Sequence, residues 1–179
     1  TDLIIVNNTQ PQFNQPRFKG AGTAIPIFSL RSKKSFGCGE FLDLKLLGDW
    51  CAKNGQRIIQ TLPINDTSVF GTWKDSYPYS AISVYALHPL YINLEAMGLS
   101  EKGKEYKEQK EALNQLDFID YEEVIKLKWR YIQQLYKKQK EELFNSDEYK
   151  TFYEENKEWL KPYAVFCFLR DKYHTSDYN

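Results

Sequence analysis

The chain has 179 residues, 42% of them hydrophobic, enough for one folded unit with a core, which excludes disordered and fibrous classes. Its 24 Lys and Arg balance 24 Asp and Glu, so the broad basic field that sequence-independent nucleic-acid binding needs is missing and no nucleic-acid partner is expected. No run approaches 18 apolar residues and no basic segment leads into an apolar one at the start, so neither a membrane span nor a signal peptide is read.

Cys38, Cys51 and Cys167 are too few and too scattered for a disulfide framework or a zinc knuckle, and His88 and His174 are the only histidines. No metal and no other cofactor is expected, and reduced thiols in a cytoplasmic setting are the ordinary reading. The 13 Tyr, 11 Phe and 4 Trp supply more ring surface than a minimal core needs, and rings also line ligand grooves. The opening Thr1 is read as the mark of a processed chain or of a piece of something larger.

Residues 1 to 100 hold eight of the nine glycines and six of the seven prolines but only 16 of the 48 charges, so the first part is loop-rich and the second helical. Residues 1–19 carry polar amides and two prolines and read as a lead-in or linker. Gly22 to Ser29 (GTAIPIFS) reads as a strand with Pro26 near a margin. Glu40 to Asn54 places Phe41, Leu44, Leu47 or Gly48, and Cys51 at helical spacing, with Gly55 where a left-handed cap belongs. Arg57 to Leu62 reads as a second strand stopped by Pro63, so the pattern is a βαβ unit with a parallel pair, and the fold class is α/β.

Residues 64–89 have no clean period and cluster Phe70, Trp73, Tyr77, Tyr79 and Tyr85, in the position after a strand where α/β sheets and barrels place ligands. Tyr85 and Tyr91, flanked by aliphatics, read as core. Asp120 with Glu123 resembles a capping box, and Val124, Leu127, Tyr131 and Leu135 form one helical stripe, while the charges around them, Lys128 among them, read as a solvated face. Tyr163 to Leu169 is apolar all round and reads as a helix sunk on every side.

Glycan cleavage or transfer needs two carboxylates facing the scissile bond. Asp43 and Asp49 read as surface helix residues, and Glu40 as first-turn charge complementing the helix dipole. Asp66 and Asp75 sit in the aromatic loop, where substrate contact and turn-stabilising hydrogen bonds weigh equally. Ser76, Ser80 and Ser83 lack a nucleophile elbow, His88 has no visible acid partner, and no nucleotide motif occurs. Trp73, Tyr77 and Tyr79 lie instead among hydrogen-bonding residues such as Asp75 and Ser76. Rings in that company suit a sugar, whose faces are apolar and whose rim is hydroxylic.

Several segments carry a resemblance: FSL at Phe28 to Leu30, the turn from Gly37, QTLPINDT from Gln60 to Thr67 and DSYPYSAISVYALHP from Asp75 to Pro89. DYEEV (Asp120 to Val124) and WLKPYAVF (Trp159 to Phe166) extend it more weakly. Together they resemble the 4-alpha-glucanotransferases of glycoside hydrolase family 77, the amylomaltase or disproportionating-enzyme group, and most closely the cytosolic branch that carries starch-binding modules ahead of the barrel. Against the common family pattern, Asn65-Asp66 stands for Gly-Pro, Ile59 for a tryptophan, His88 for an asparagine and Tyr77 for a serine.

The resemblance implies an enzyme of starch, maltose or glycogen metabolism built on a (β/α)8 TIM barrel. Such an enzyme holds a glucan donor covalently and passes it to a sugar 4-hydroxyl. Tyr79 matches a tyrosine that contacts an acceptor-side glucose, and the other expected substrate-binding residues are Tyr77, Ser76, Asp75, Trp73 and Asp66. The motifs that carry the catalytic carboxylates do not occur in this chain, which then represents an incomplete barrel: lead-in 1–19, first βα units with the substrate loop 20–100, and a helical subdomain 101–179. The expected partner is an α-1,4-glucan or malto-oligosaccharide, and the 179 residues alone are expected to be inactive and to self-associate. A reading from another class keeps the chain as a non-catalytic glucan-binding or interaction module.

Overall fold

The computed structural model describes residues 19–177, so nearly all of the lead-in expected over 1–19 lies outside the described residues. In chain order the elements are β1 (Gly22–Ala24), α1 (Phe41–Lys53), β2 (Ile58–Gln60), α2 (Lys104–Gln115), α3 (Tyr121–Asn145) and α4 (Asp147–Tyr173). β1 and β2 pair in parallel, Thr23 opposite Ile59, with α1 as the crossover, which is the βαβ unit expected from the sequence. Both strands are shorter than predicted. Pro26 has no amide for a ladder, and the chain turns there into a single 3-10 turn, Ile27–Ser29, closed by Ser29 N–H on the Pro26 carbonyl.

α1 begins and ends as its sequence dictates. The Glu40 amide donates to Asp43 Oδ2 at 2.7 Å in the first turn. At the other end Gly55 has φ +70°, and the Gln56 and Gly55 amides close on the Cys51 and Ala52 carbonyls in a Schellman arrangement. Two side chains here differ from expectation. Asp43 is buried because it caps, and Glu40 is buried because it meets Lys128 from α3.

Lys128 is the largest correction to the solvated-face reading. Its ammonium donates to Glu40 Oε1 at 2.5 Å and to the Leu90 and Ile92 carbonyls at 2.6 and 2.8 Å, so all three donors are satisfied without water. Glu40 Oε1 also accepts from the Phe36 amide and Oε2 from Asn93 Nδ2. Such a pair is tolerable inside a protein only because every donor and lone pair facing it is used.

The core gathers around α3. Val124, Leu127, Tyr131 and Leu135 are buried as the stripe predicts, and Asp120 caps the helix by accepting from the Glu123 amide. Phe36 stacks on Tyr106 of α2 at 5.3 Å and meets Tyr131 edge-on at 6.1 Å. Residues on both sides of position 100 thus share one cluster, which also holds Ile27, Cys38, Leu90, Tyr91 and Leu94. Gly39 is required where the loop crosses the 3-10 turn: a Cβ there would lie 1.9 Å from the Ile27 carbonyl oxygen.

α4 runs back from the end of α3, capped by Ser146 accepting from the Tyr149 amide, and has no buried residue. The helix expected over Tyr163 to Leu169 forms, but it is not sunk: Val165, Phe168 and Leu169 are exposed. An apolar periphery shows that a surface is fit for burial, not that a partner lies within the same 179 residues.

Candidate functional site

The loop that follows the carboxyl end of β2 is pinned by its own polar residues. Asp66 N–H donates to the Ala86 carbonyl and His88 N–H to the Ile64 carbonyl, so the loop leaves and returns side by side. Within it, both oxygens of buried Asp75 accept from the Phe70 amide, and Oδ2 also accepts from the Gly71 amide at 2.7 Å. Thr67 Oγ1 donates to the Asp75 carbonyl. Of the two roles weighed for Asp75, the structure displays the turn-stabilising one, which fixes the 3-10 turn Trp73–Ser76. Asp66 is likewise occupied: Oδ1 accepts from the Ser68 amide and Oδ2 from the Tyr163 hydroxyl of α4.

On this frame the rings point outward. Trp73, Tyr77 and Tyr79 are 66, 58 and 62% exposed, and Tyr77 and Tyr79 lie 5.5 Å apart, centroid to centroid. Trp73, Asp75 and Ser76 share the wall of an open cleft of about 540 Å³ with Asn65, Thr67, Pro78, His88 and Tyr121. Tyr77 and Tyr79 stand outside that wall, on the exposed surface beside Pro78, and Asp66 is not part of it. The sequence therefore brings three of the six predicted residues into one cleft and leaves two rings beside it and one carboxylate beneath the loop.

Tyr91 is core as predicted, its hydroxyl pushed up to about 12 by burial and by the nearby Cys38 thiol. Tyr85 is not core. It is 62% exposed and stacks on Trp159 of α4 at 5.4 Å, because an aromatic flanked by aliphatics can pack on a neighbouring helix as readily as inward.

His88 lies in the cleft wall. Its Nδ1 accepts from the Leu90 amide, so in the neutral ring Nε2 carries the proton and donates to the Tyr121 hydroxyl at 3.0 Å. Burial lowers the imidazole's pKa against the opposing pull of Asp66 and Asp75, which keeps the ring neutral. Burial also raises the Tyr121 hydroxyl, so it stays protonated. Among the described residues no group of His, Cys, Asp and Glu could hold a metal ion, and no helix is long and apolar enough to cross a membrane. The arrangement offers ring faces, a hydroxyl, an amide and backbone groups, which can bind and orient a sugar. Both loop carboxylates are committed to amides and a hydroxyl, and Asp120 and Glu122 of the same cleft wall accept from the Glu123 and Trp73 amides.

Sequence reasoning missed three neighbours of the loop. Glu122 of α3 accepts from the Trp73 amide at 2.8 Å, and Tyr163 and Arg170 of α4 reach Asp66 and the Ser68 carbonyl. Their partners lie 49 to 102 residues away, beyond any local pattern.

The fold and the loop define an α/β protein with a ring-lined cleft at the carboxyl end of its second strand. The chain belongs to glycoside hydrolase family 77: the family model described as 4-alpha-glucanotransferase matches residues 25–179. It is similar to the rice 4-alpha-glucanotransferase DPE2, 51% identical over 164 residues, which is 90% of this chain and 17% of the rice protein. It is also similar to the 4-alpha-glucanotransferases of Chlamydia muridarum and Chlamydia caviae, at 36% and 37% identity over 84% and 86% of this chain and 28% of each relative. The chain therefore spans between about a sixth and under a third of the length of these relatives.

Proposed function

We propose that this chain is part of a 4-alpha-glucanotransferase that moves α-1,4-glucan segments between donor and acceptor sugars by a retaining double displacement. The family match over residues 25–179 is the observation that carries this reading. The chemistry requires one carboxylate to hold the donor as a glycosyl ester and another to protonate the leaving oxygen and then deprotonate the acceptor 4-hydroxyl. In our reading those groups belong to the remainder of the protein, and this chain supplies glucan contact.

Trp73, Tyr77 and Tyr79 offer ring faces to glucose units and Ser76 offers a hydroxyl; their exposure supports that role. Asp75 and Asp66 act through the loop they hold. β1, α1 and β2 are the opening of a (β/α)8 barrel, in which the apolar flank of α4 and the two-stranded sheet find neighbours; the 179 residues alone self-associate. A cytoplasmic enzyme of starch, maltose or glycogen metabolism fits this reading.

The test is incubation of the longer protein, and separately of the 179 residues, with maltotriose. The longer protein should yield glucose together with maltodextrins longer than the substrate, and the 179 residues neither. Absence of longer products from the longer protein would overturn the proposal.

A further inference from the structure

Trp73, Tyr77 and Tyr79 stand exposed on the loop. What fixes the loop is a relay of polar contacts, and its outer end is on α4. Tyr163 Oη donates to Asp66 Oδ2 at 2.5 Å across 97 residues of sequence. Seven residues further, two turns along the same face of α4, Arg170 Nη1 donates to the Ser68 carbonyl. Between these anchors Asp66 Oδ1 accepts from the Ser68 amide, the Asp66 carbonyl accepts from the Ile82 amide, and Thr67 Oγ1 donates to the Asp75 carbonyl. The hydroxyl of Tyr163 is pushed well up by burial and by the Asp66 carboxylate, so it remains a donor at any pH the protein meets.

We infer that Tyr163 and Arg170 are positioning residues for glucan binding: α4 sets residues 66–68, and through them the turn that presents Trp73, Ser76, Tyr77 and Tyr79. The inference rests on the glucan reading above. It differs from simple docking of a helix, because α4 has no buried residue and, besides the Tyr85–Trp159 stack, meets this loop through hydrogen bonds aimed at the backbone and carboxylate of one short segment. Disturbing those bonds leaves the fold's core untouched and moves the loop.

The experiment uses the longer protein with Tyr163→Phe, Arg170→Gln, Asp66→Asn and the Tyr163→Phe/Asp66→Asn double variant. Amide hydrogen exchange of the peptide covering 68–76 is read first, and acceptor kinetics with maltose second. Tyr163→Phe should speed exchange there several-fold and raise KM for the acceptor about five- to tenfold, with kcat at saturating acceptor within about twofold. Arg170→Gln should act in the same direction, and the double variant should be no worse than the more impaired of its two single variants. Unchanged exchange and unchanged KM, with only a lower unfolding temperature, would overturn the inference and make both residues structural. If the unsubstituted protein transfers nothing between maltodextrins, the glucan reading fails, while the exchange measurement still decides whether α4 holds the loop.

Discussion

Replacing Lys128 by Met isolates the buried pair at the centre of the molecule. The side chain keeps its length and loses the ammonium that donates to Glu40 Oε1, Leu90 O and Ile92 O, at sites where Lys128 and Glu40 are 0 and 1% exposed. Two carbonyls lose a donor, each worth about 1 kcal/mol or more when buried, and the Glu40 carboxylate loses its counter-charge while keeping the Phe36 amide and Asn93. Breaking a buried pair from one side costs about 3 to 5 kcal/mol, which for a domain of this size lowers the unfolding midpoint by roughly 10 °C. Burial already raises the Glu40 carboxyl above its ordinary value, with Lys128 opposing. A carboxyl with a raised folded pKa favours the folded state at pH below its unfolded value, and that advantage is lost as pH rises through the folded value. Without Lys128 the folded value rises further, so the deficit of the variant should widen from about pH 5.5 to about pH 8, as thermal unfolding followed by circular dichroism will read. It should narrow on acidification without closing, since the Ile92 carbonyl loses its ammonium donor and the Leu90 carbonyl keeps only the weak Cys38 thiol. Pairing the change with Glu40→Gln should recover part of the loss at neutral pH. A midpoint within about 2 °C of the parent at both pH values would refute the account of this pair.

Tyr79→Ala in the longer protein should lower transfer relative to hydrolysis by roughly tenfold, about 1 to 2 kcal/mol, in product analysis from maltotriose. Tyr85→Ala should leave that ratio alone and cost about 0.5 to 1.5 kcal/mol of stability by denaturant unfolding, the scale of its stack on Trp159. Gly39→Ala should abolish soluble expression or lower the unfolding midpoint steeply, because the added methyl meets the Ile27 carbonyl at 1.9 Å. Asp75→Ala should unpair the Phe70 and Gly71 amides and speed hydrogen exchange across residues 68–76 well above the parent rate.

The parts that local chemistry controls were legible. A capped helix between two short apolar runs, with Gly55 just past its end, announced the parallel βαβ unit, and the Asp120 cap with its apolar stripe announced α3. What was hidden depends on distant partners. A lysine in a charged run cannot be told from a solvated one until Glu40 arrives from 88 residues away, so Lys128 looked like surface and Glu40 like a dipole charge. Tyr85 looked like core because its aliphatic neighbours say nothing about the helix that covers it. The ring cluster itself was visible as composition, yet its division into Trp73 inside the cleft and Tyr77 and Tyr79 beside it follows from the turn that Asp75 sets.

We propose that this chain meets glucan through the loop after β2. Hydrogen exchange of the longer protein with and without saturating maltoheptaose tests it directly. Within residues 19–177 protection should concentrate in the peptide covering Trp73 to Tyr79, and it should shrink in Tyr79→Ala. Protection that skips this peptide, while the protein plainly binds the sugar elsewhere, would contradict glucan contact through this loop.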